Sequence, residues 1–325
     1  PAARPGRPPP APPRAARRPP PPPRPPRAAP ARPPRRRTPD LKAGEVRAFL
    51  EAHGLAARRD LGQNFLHDER IAEKLARIAA VESGDRVIEI GTGLGILTQA
   101  LAARAAWVIT VEVDGGIVRA LRRDAVLPDN VELIHGDALD LDLDRLAGEG
   151  TGPVRIVGNL PYAVASPLLR QLLDCRERLV GWSVMVQKEV AARLLAAPGT
   201  REYGSLTVLH QLVATVKIGL DVHPQCFYPV PRVTSTFLQI TPRSEVLLSA
   251  GELRMVEGVV RAAFAHRRKT IVNSLRTAAE GSALPPQRIA ETLAGHGIDR
   301  RARAQNLSPG QWLEIARALA RAEAV

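Results

Sequence analysis

RVIEIGTGLG, residues 86–95, decides the fold. Five residues of β-rich, doubly apolar character run straight into a turn carrying Gly91, Gly93 and Gly95. A run that is apolar on both faces marks a strand buried between helices in a parallel sheet. Glycines at its carboxyl end let the backbone approach a small molecule, at the place where open α/β sheets bind their ligands. The turn is not the dinucleotide fingerprint. A G-x-G-x-x-G anchored at Gly91 meets Ile96 where it needs glycine, and one anchored at Gly93 meets Thr98.

The same grammar extends outward. WVITVEVD (107–114), VELIHGDAL (131–139), VRIVGNLP (154–161) and VGWSVMVQ (180–187) alternate with amphipathic helical stretches. This alternation predicts parallel strands covered by helices, a doubly wound α/β sheet. VATVKIGLDV (213–222) and TSTFLQIT (234–241) have only a Pro-containing loop between them, too short for a crossover, so they are expected to pair antiparallel at one edge. Upstream, 41–53 reads as a helix ending at Gly54. Asp68 is placed to cap a second helix with the apolar face Ile71, Leu75, Ile78 and Ala79. Beyond Pro242 the strands cease, and 251–279, 286–295 and 308–322 read as helices. The expected organisation is a tail at 1–38, an α/β domain at 39–243 and a small helical domain at 244–325. No internal repeat is visible.

The net charge of +13 suggests nucleic acid, but its distribution weakens that inference. Residues 1–37 hold 11 Arg, no Asp or Glu, and 17 of the 30 prolines, so the remainder carries 35 basic against 33 acidic residues, a net +2. Such a tail cannot bury apolar surface and is expected to be disordered and PPII-like, a solvated extension or a weak counterion-releasing RNA contact. The chain does not begin with Met, so the tail reads as a fragment or a displaced start. It lacks the apolar centre of a secretory signal and the Ser of a transit peptide, its prolines oppose an amphipathic helix, and no apolar run of ~18 residues occurs. The expected location is the cytoplasm. Cys175 and Cys226 are far apart and read as buried reduced thiols, and the seven histidines form no ligand pattern, so no metal is expected.

Three acids close successive strands. Glu89 ends the first and suits a cationic ligand group better than a pyrophosphate. Glu112 lies 21 residues after Gly91 and can accept hydrogen bonds from ribose hydroxyls. Asp137, in GDAL, can accept one from an adenine amino group. Together they describe a nucleoside with a cationic substituent, S-adenosyl-L-methionine.

The fourth strand ends in NLPY, residues 159–162, and with EIGTGLG, Glu112 and GDAL this makes the chain resemble the ribosomal RNA adenine N6,N6-dimethyltransferases, which implies the N6 of adenine as the substrate amine. An exocyclic amine on adenine is a poor nucleophile, because its lone pair is delocalised into the ring. The Asn159 side-chain oxygen and the Leu160 or Pro161 carbonyl can accept its two hydrogens, Pro161 stiffens the turn, and Tyr162 can stack on the base. The base must be splayed from its helix to enter such a slot.

With these motifs in place, the chain resembles the ribosomal RNA adenine N6,N6-dimethyltransferases from Leu61 to about Ile315. The resemblance rests on LGQNFL (61–66), EIGTGLG (89–95), VEVD with Glu112, GDAL (136–139), NLPY (159–162), FYPVPRVTS (227–235), FAHRRKTIVNSL (264–275) and RAQNLS (303–308). It implies a Rossmann-like, seven-stranded methyltransferase sheet, a helical C-terminal domain that grips RNA, and a cofactor pocket lined by Asn64, Leu66, Gly91, Glu112, Asp137 and Asn159. Phe227 either closes over the substrate base, as the resemblance implies, or packs beside Pro-x-Pro. Arg267, Arg268 and Lys269 are either a solvated helix face or contacts to RNA phosphates. The expected enzyme acts as a monomer on two adjacent adenosines near the 3′ end of 16S ribosomal RNA, in small-subunit biogenesis. Its rivals are a large-subunit enzyme conferring macrolide resistance, an assembly factor that need not methylate, and a DNA adenine methyltransferase.

Overall fold

A computed structural model describes residues 43–325 apart from 149, 151, 162, 163, 246, 247, 279–284, 324 and 325. The tail at 1–38 and Tyr162 lie outside the described residues. The chain enters through α1 (Ala43–Ala52), a short strand β1 (Phe65–Leu66) and α2 (Glu69–Ile78). Asp68 caps α2 as expected, its Oδ1 accepting from the Arg70 and Ile71 amides at 3.0 and 3.2 Å. Strand and helix then alternate through β2 (Arg86–Ile90), α3 (Ile96–Ala102), β3 (Trp107–Glu112), α4 (Gly115–Arg123) and β4 (Val131–His135). They continue with α5 (Leu143–Gly148), β5 (Val154–Asn159), α6 (Ala165–Asp174) and β6 (Leu179–Gln187). Helices α7 (Lys188–Leu195) and α8 (Ser205–Val213) precede β7 (Ala214–Val222), the two-residue β8 (Phe227–Tyr228) and β9 (Ser235–Pro242). Helices α9 (Ala250–Phe264), α10 (Ile271–Ala278), α11 (Pro286–Gly295) and α12 (Pro309–Glu323) follow.

The seven-stranded sheet has the order β4-β3-β2-β5-β6-β9-β7. Neighbours from β4 to β6 are parallel, and β9 runs antiparallel to both β6 and β7, so the expected antiparallel edge is present. The chain travels outward from β2 to β4 and returns to lay β5 beside β2, making a topological switch point between those strands. There Ile90 pairs with Gly158, and a Cβ on Gly158 would lie 2.7 Å from the Ile90 carbonyl. Glycine lets the two strands run at that distance, directly before Asn159.

Strand alternation divides the core in two. Ile88, Ile90 and Ile156 pack with α6 and α8, whereas Val87, Val108 and Val157 pack with α2 and α3. The first layer continues without a break into the C-terminal helices, since Leu253, Ile271 and Trp312 join Trp182 and Leu238 in one apolar cluster. Phe264 lies between Tyr203 and Trp312, with ring centroids 6.1 and 5.9 Å away. Arg170 meets Glu257 at 2.6 Å, and the Tyr203 hydroxyl donates to the Leu307 carbonyl.

Two expectations change and one strand pairing is new. The helix read across 251–279 is two helices, broken by a turn at 265–270, because Phe264 and Ile271 both turn inward while His266 to Lys269 stay exposed. The Thr270 hydroxyl accepts the Asn273 amide at the start of the second helix. Strands β1 and β8, too short to show a period, pair antiparallel and fasten the 61–66 segment to the sheet domain. Cys175 is buried, with its thiol pushed up to about 12 by desolvation, but Cys226 is only half-buried. Among the described residues no helix is long and apolar enough to cross a membrane.

Candidate active site

The carboxyl ends of β2, β3 and β5 open into one cavity. Its walls bring together Asn64 and Leu66 from the β1 segment, Gly91 from the glycine turn, the strand-end acids Glu112 and Asp137, and Asn159-Leu160-Pro161 after β5. These are the residues expected from the sequence at that place, and they come from five separate stretches of chain.

The glycine turn touches the NLPY turn directly. Gly91 has φ +86°, and a Cβ there would lie 3.3 Å from the Asn159 carbonyl, so the residue needs both the left-handed backbone and the missing side chain. Glu112 is nearly buried, and each of its carboxylate oxygens accepts a backbone amide: Gly93 at 2.9 Å and Asp114 at 3.0 Å. Burial holds its pKa above the ordinary carboxylate value, opposed by those amides. Each oxygen keeps a further acceptor site. Asp137 is exposed at the cavity wall, with Oδ1 accepting the Leu139 amide.

Asn159 is oriented by its neighbour. Its Nδ2 donates to the Asn64 carbonyl at 3.2 Å, which turns Oδ1, the acceptor, away from that carbonyl. Asn64 in turn donates its own amide to the Gly62 carbonyl. Of the two carbonyls considered as acceptors for a substrate amine, that of Pro161 takes the Val164 amide at 3.1 Å. The Leu160 amide is spent on the Met185 carbonyl. Residues missed by sequence reasoning complete the enclosure. Gln63 donates to Asp114 Oδ2, and Asp114 also caps α4 through Oδ1, so one aspartate ties the overlying segment to the helix. An Asp directly before a helical stretch is a readable capping signal, whereas the Gln63 partner, 51 residues away, is not.

Three assignments are corrected. Glu89 does not reach the cavity: strand alternation sends it to the α3 side of the sheet, where it is 0 % exposed and accepts from Thr98 and Thr110 at 2.6 and 2.7 Å. Desolvation pushes its pKa up to about 8. Phe227 does not line the cavity. Its pairing with Leu66 directs the ring into the core with Met185, Val222 and Phe237, at 1 % exposed; the exposed members of that stretch are Val230 and Val233. Arg267, Arg268 and Lys269 do not form a helix face but the exposed turn between α9 and α10. Arg267 in addition donates to the Arg201 and Tyr203 carbonyls at 2.6 and 3.1 Å, which gives it a structural duty.

A glycine cradle that a Cβ would fill, acceptors on Glu112 and Asp137, and flanking apolar side chains from Leu66, Ile90, Ala138 and Leu168 fit a nucleoside cofactor. Comparison with known proteins agrees. The ribosomal RNA adenine dimethylase family profile matches residues 54–321. The ribosomal RNA small subunit methyltransferase A of Moorella thermoacetica is 42% identical over 283 residues, covering 85% of this chain and 97% of that protein. Its counterpart in Geobacter sulfurreducens is 39% identical over 83% of this chain and 98% of its own length. Among solved structures, a dimethyladenosine transferase from Plasmodium falciparum superposes with TM-score 0.63 at 25% identity, covering 76% of this chain and 94% of its own. The 23S rRNA methyltransferase ErmE superposes with TM-score 0.58 at 27% identity, covering 79% and 100%. The chain therefore belongs to the ribosomal RNA adenine dimethylase family, enzymes that methylate ribosomal RNA adenines with S-adenosyl-L-methionine.

Proposed function

We propose that this chain dimethylates N6 of two adjacent adenosines near the 3′ end of 16S ribosomal RNA, as a cytoplasmic monomer acting in small-subunit biogenesis. The observation that carries the small-subunit target is the 42% identity, over 97% of its length, to a relative named for the small subunit. S-adenosyl-L-methionine supplies, when bound, a methyl group on a sulfonium already activated for displacement. Asn64, Leu66 and Gly91 would form its cradle, Glu112 would accept from the ribose hydroxyls and Asp137 from the adenine amine.

The chain's own contribution is positioning. Asn159 Oδ1 and the Leu160 or Pro161 carbonyl accept the two hydrogens of the substrate amine; the Pro161 carbonyl already takes the Val164 amide and keeps one acceptor site for it. Asn64 holds the Asn159 amide in the orientation this needs. The family motif assigns Tyr162, outside the described residues, to stacking on the base, an interaction worth roughly 1–3 kcal/mol. No side chain has to remove a proton beforehand, since the nitrogen sheds one once alkylation makes it cationic. A second methylation requires only that the slot admit a monomethylated amine turned about its C–N bond. Residues 244–325, with Arg268 and Lys269, grip the RNA backbone.

The structural likeness to ErmE favours a second reading, methylation of 23S rRNA. One experiment decides between them. Small subunits and large subunits from a strain lacking the modification are incubated with the protein and cofactor, and primer extension maps the product. A stop at the paired adenosines of the small subunit is expected. A stop only on the large subunit selects the second reading, and monomethyl-adenine as the final product refutes dimethylation.

A further inference from the structure

A buried polar chain runs beneath the glycine turn. Glu89 Oε2 accepts from the hydroxyls of Thr98 and Thr110, and the Thr110 and Thr92 hydroxyl oxygens are 2.7 Å apart. With the Thr110 hydrogen spent on Glu89, Thr92 must be the donor in that last contact. The order is thus Thr92 to Thr110 to Glu89, every hydrogen pointing toward one carboxyl. All four residues are buried, from 0 % exposed for Glu89, Thr98 and Thr110 to 4 % for Thr92.

The position of Thr92 gives the chain its consequence. Thr92 lies between Gly91 and Gly93 and lines the cavity, while Glu89, Thr98 and Thr110 do not. Its two glycine neighbours have φ of +86° and +54°, a backbone with no intrinsic preference for this shape. Backbone bonds hold part of it, the Gly95 amide donating to the Thr92 carbonyl and the Gly91 and Thr92 amides to the Val111 carbonyl, and two side-chain contacts hold the rest. From above, Gly93 donates to Glu112; from below, Thr92 is anchored through Thr110 to Glu89. Glu89 Oε1 is buried with no hydrogen-bond partner, a cost that a residue serving only to fill the core would not require.

We propose that Glu89 is a positioning residue for the methyl donor: through Thr110 and Thr92 it sets the conformation of the glycine turn, and so the affinity for S-adenosyl-L-methionine, without touching it. The inference rests on the family's use of that cofactor and goes beyond it, because it assigns to this acid a role that neither its burial nor its place in EIGTGLG specifies alone.

The test uses the full chain titrated calorimetrically with S-adenosylhomocysteine. Thr110→Val keeps the shape of the side chain and cuts the link. It is expected to raise Kd about tenfold, the loss of one buried hydrogen bond, with kcat at saturating cofactor and KM for RNA unchanged. Thr92→Val is expected to raise Kd to a similar extent, and the double variant to bind no worse than either single one, because both cut one chain. Glu89→Gln keeps the carbonyl acceptor and is expected to bind within threefold of the unaltered protein. An unaltered Kd in Thr110→Val overturns the proposal. So do threonine losses that multiply, which would mean independent packing defects, or a fall in kcat at unchanged Kd. Should Glu89→Gln not fold, the two threonine variants still decide the matter.

Discussion

The glycine-turn wall and the basic turn between α9 and α10 are both motif-rich, yet they are built on opposite physical terms. At the first, almost every polar atom is spent: Gly93 and Asp114 amides on Glu112, Asn159 on Asn64, Thr92 on the chain to Glu89. At the second, Arg268 and Lys269 stand in solvent, and only Arg267 is committed, to two carbonyls. A small cofactor needs a pre-formed pocket whose groups lose little freedom on binding. A polyanion needs charge that can find phosphates, which long exposed side chains supply through counterion release. The difference teaches that a tightly bonded motif states its ligand's shape, and an exposed basic motif states only its ligand's charge.

That comparison can be broken most severely at Asn159. Asn159→Ala removes the proposed acceptor for the substrate amine and should lower kcat/KM on the order of 10³-fold in a methyl-transfer assay, with cofactor affinity changed much less. A loss confined to cofactor binding would move Asn159 to the other side of the divide. Next, Glu112→Ala frees the Gly93 and Asp114 amides and removes the proposed ribose acceptor, so cofactor Kd should rise about 30-fold by calorimetry, corresponding to roughly 2 kcal/mol. At the basic turn the expected effects are smaller. The Arg268→Ala/Lys269→Ala double variant should weaken RNA binding severalfold and reduce the slope of log K against log salt by about one to two, with cofactor Kd unchanged. Arg267→Ala should differ from it, costing about 1 kcal/mol of stability in denaturant unfolding through the loss of its carbonyl contacts.

A separate expectation concerns the pH dependence of stability. Glu89 titrates near its ordinary value of 4.5 when unfolded but near about 8 when buried. The folded state therefore holds a proton that the unfolded state releases, and stability from this group is fully present below 4.5 and lost as pH rises through about 8. Thermal unfolding between those limits should show the decline, and Glu89→Gln should flatten it. A slope that survives the substitution would assign the decline to other groups.

The strand runs were legible because a parallel strand needs apolar residues on both faces, and that requirement is written locally. The capping of α2 by Asp68 was legible for the same reason. The cavity acids were legible only in part. Glu89 and Glu112 both look like strand-end carboxylates, but Glu89 precedes the last residue of β2, so its side chain projects to the α3 side, while Glu112 ends β3 at the cavity wall. Phe227 was open between two roles because a two-residue strand shows no period, and its pairing with Leu66, more than a hundred residues earlier in sequence, is what turned it inward. The break at 265–270 was hidden because Ala, His, Arg and Lys carry no helix-stopping signal.

By itself the sequence determined the alternating α/β architecture and the glycine turn, since each depends on chemistry within a few neighbouring positions, while the residues around the cavity were named by the resemblance of its motifs. Only the tertiary structure decided which face each acid served, that Asn64 orients Asn159, that the C-terminal helices share one core with the sheet, and that Thr92 hangs from Glu89. Those are contacts between segments tens of residues apart, and their distances exist only once strand order and register bring the segments together.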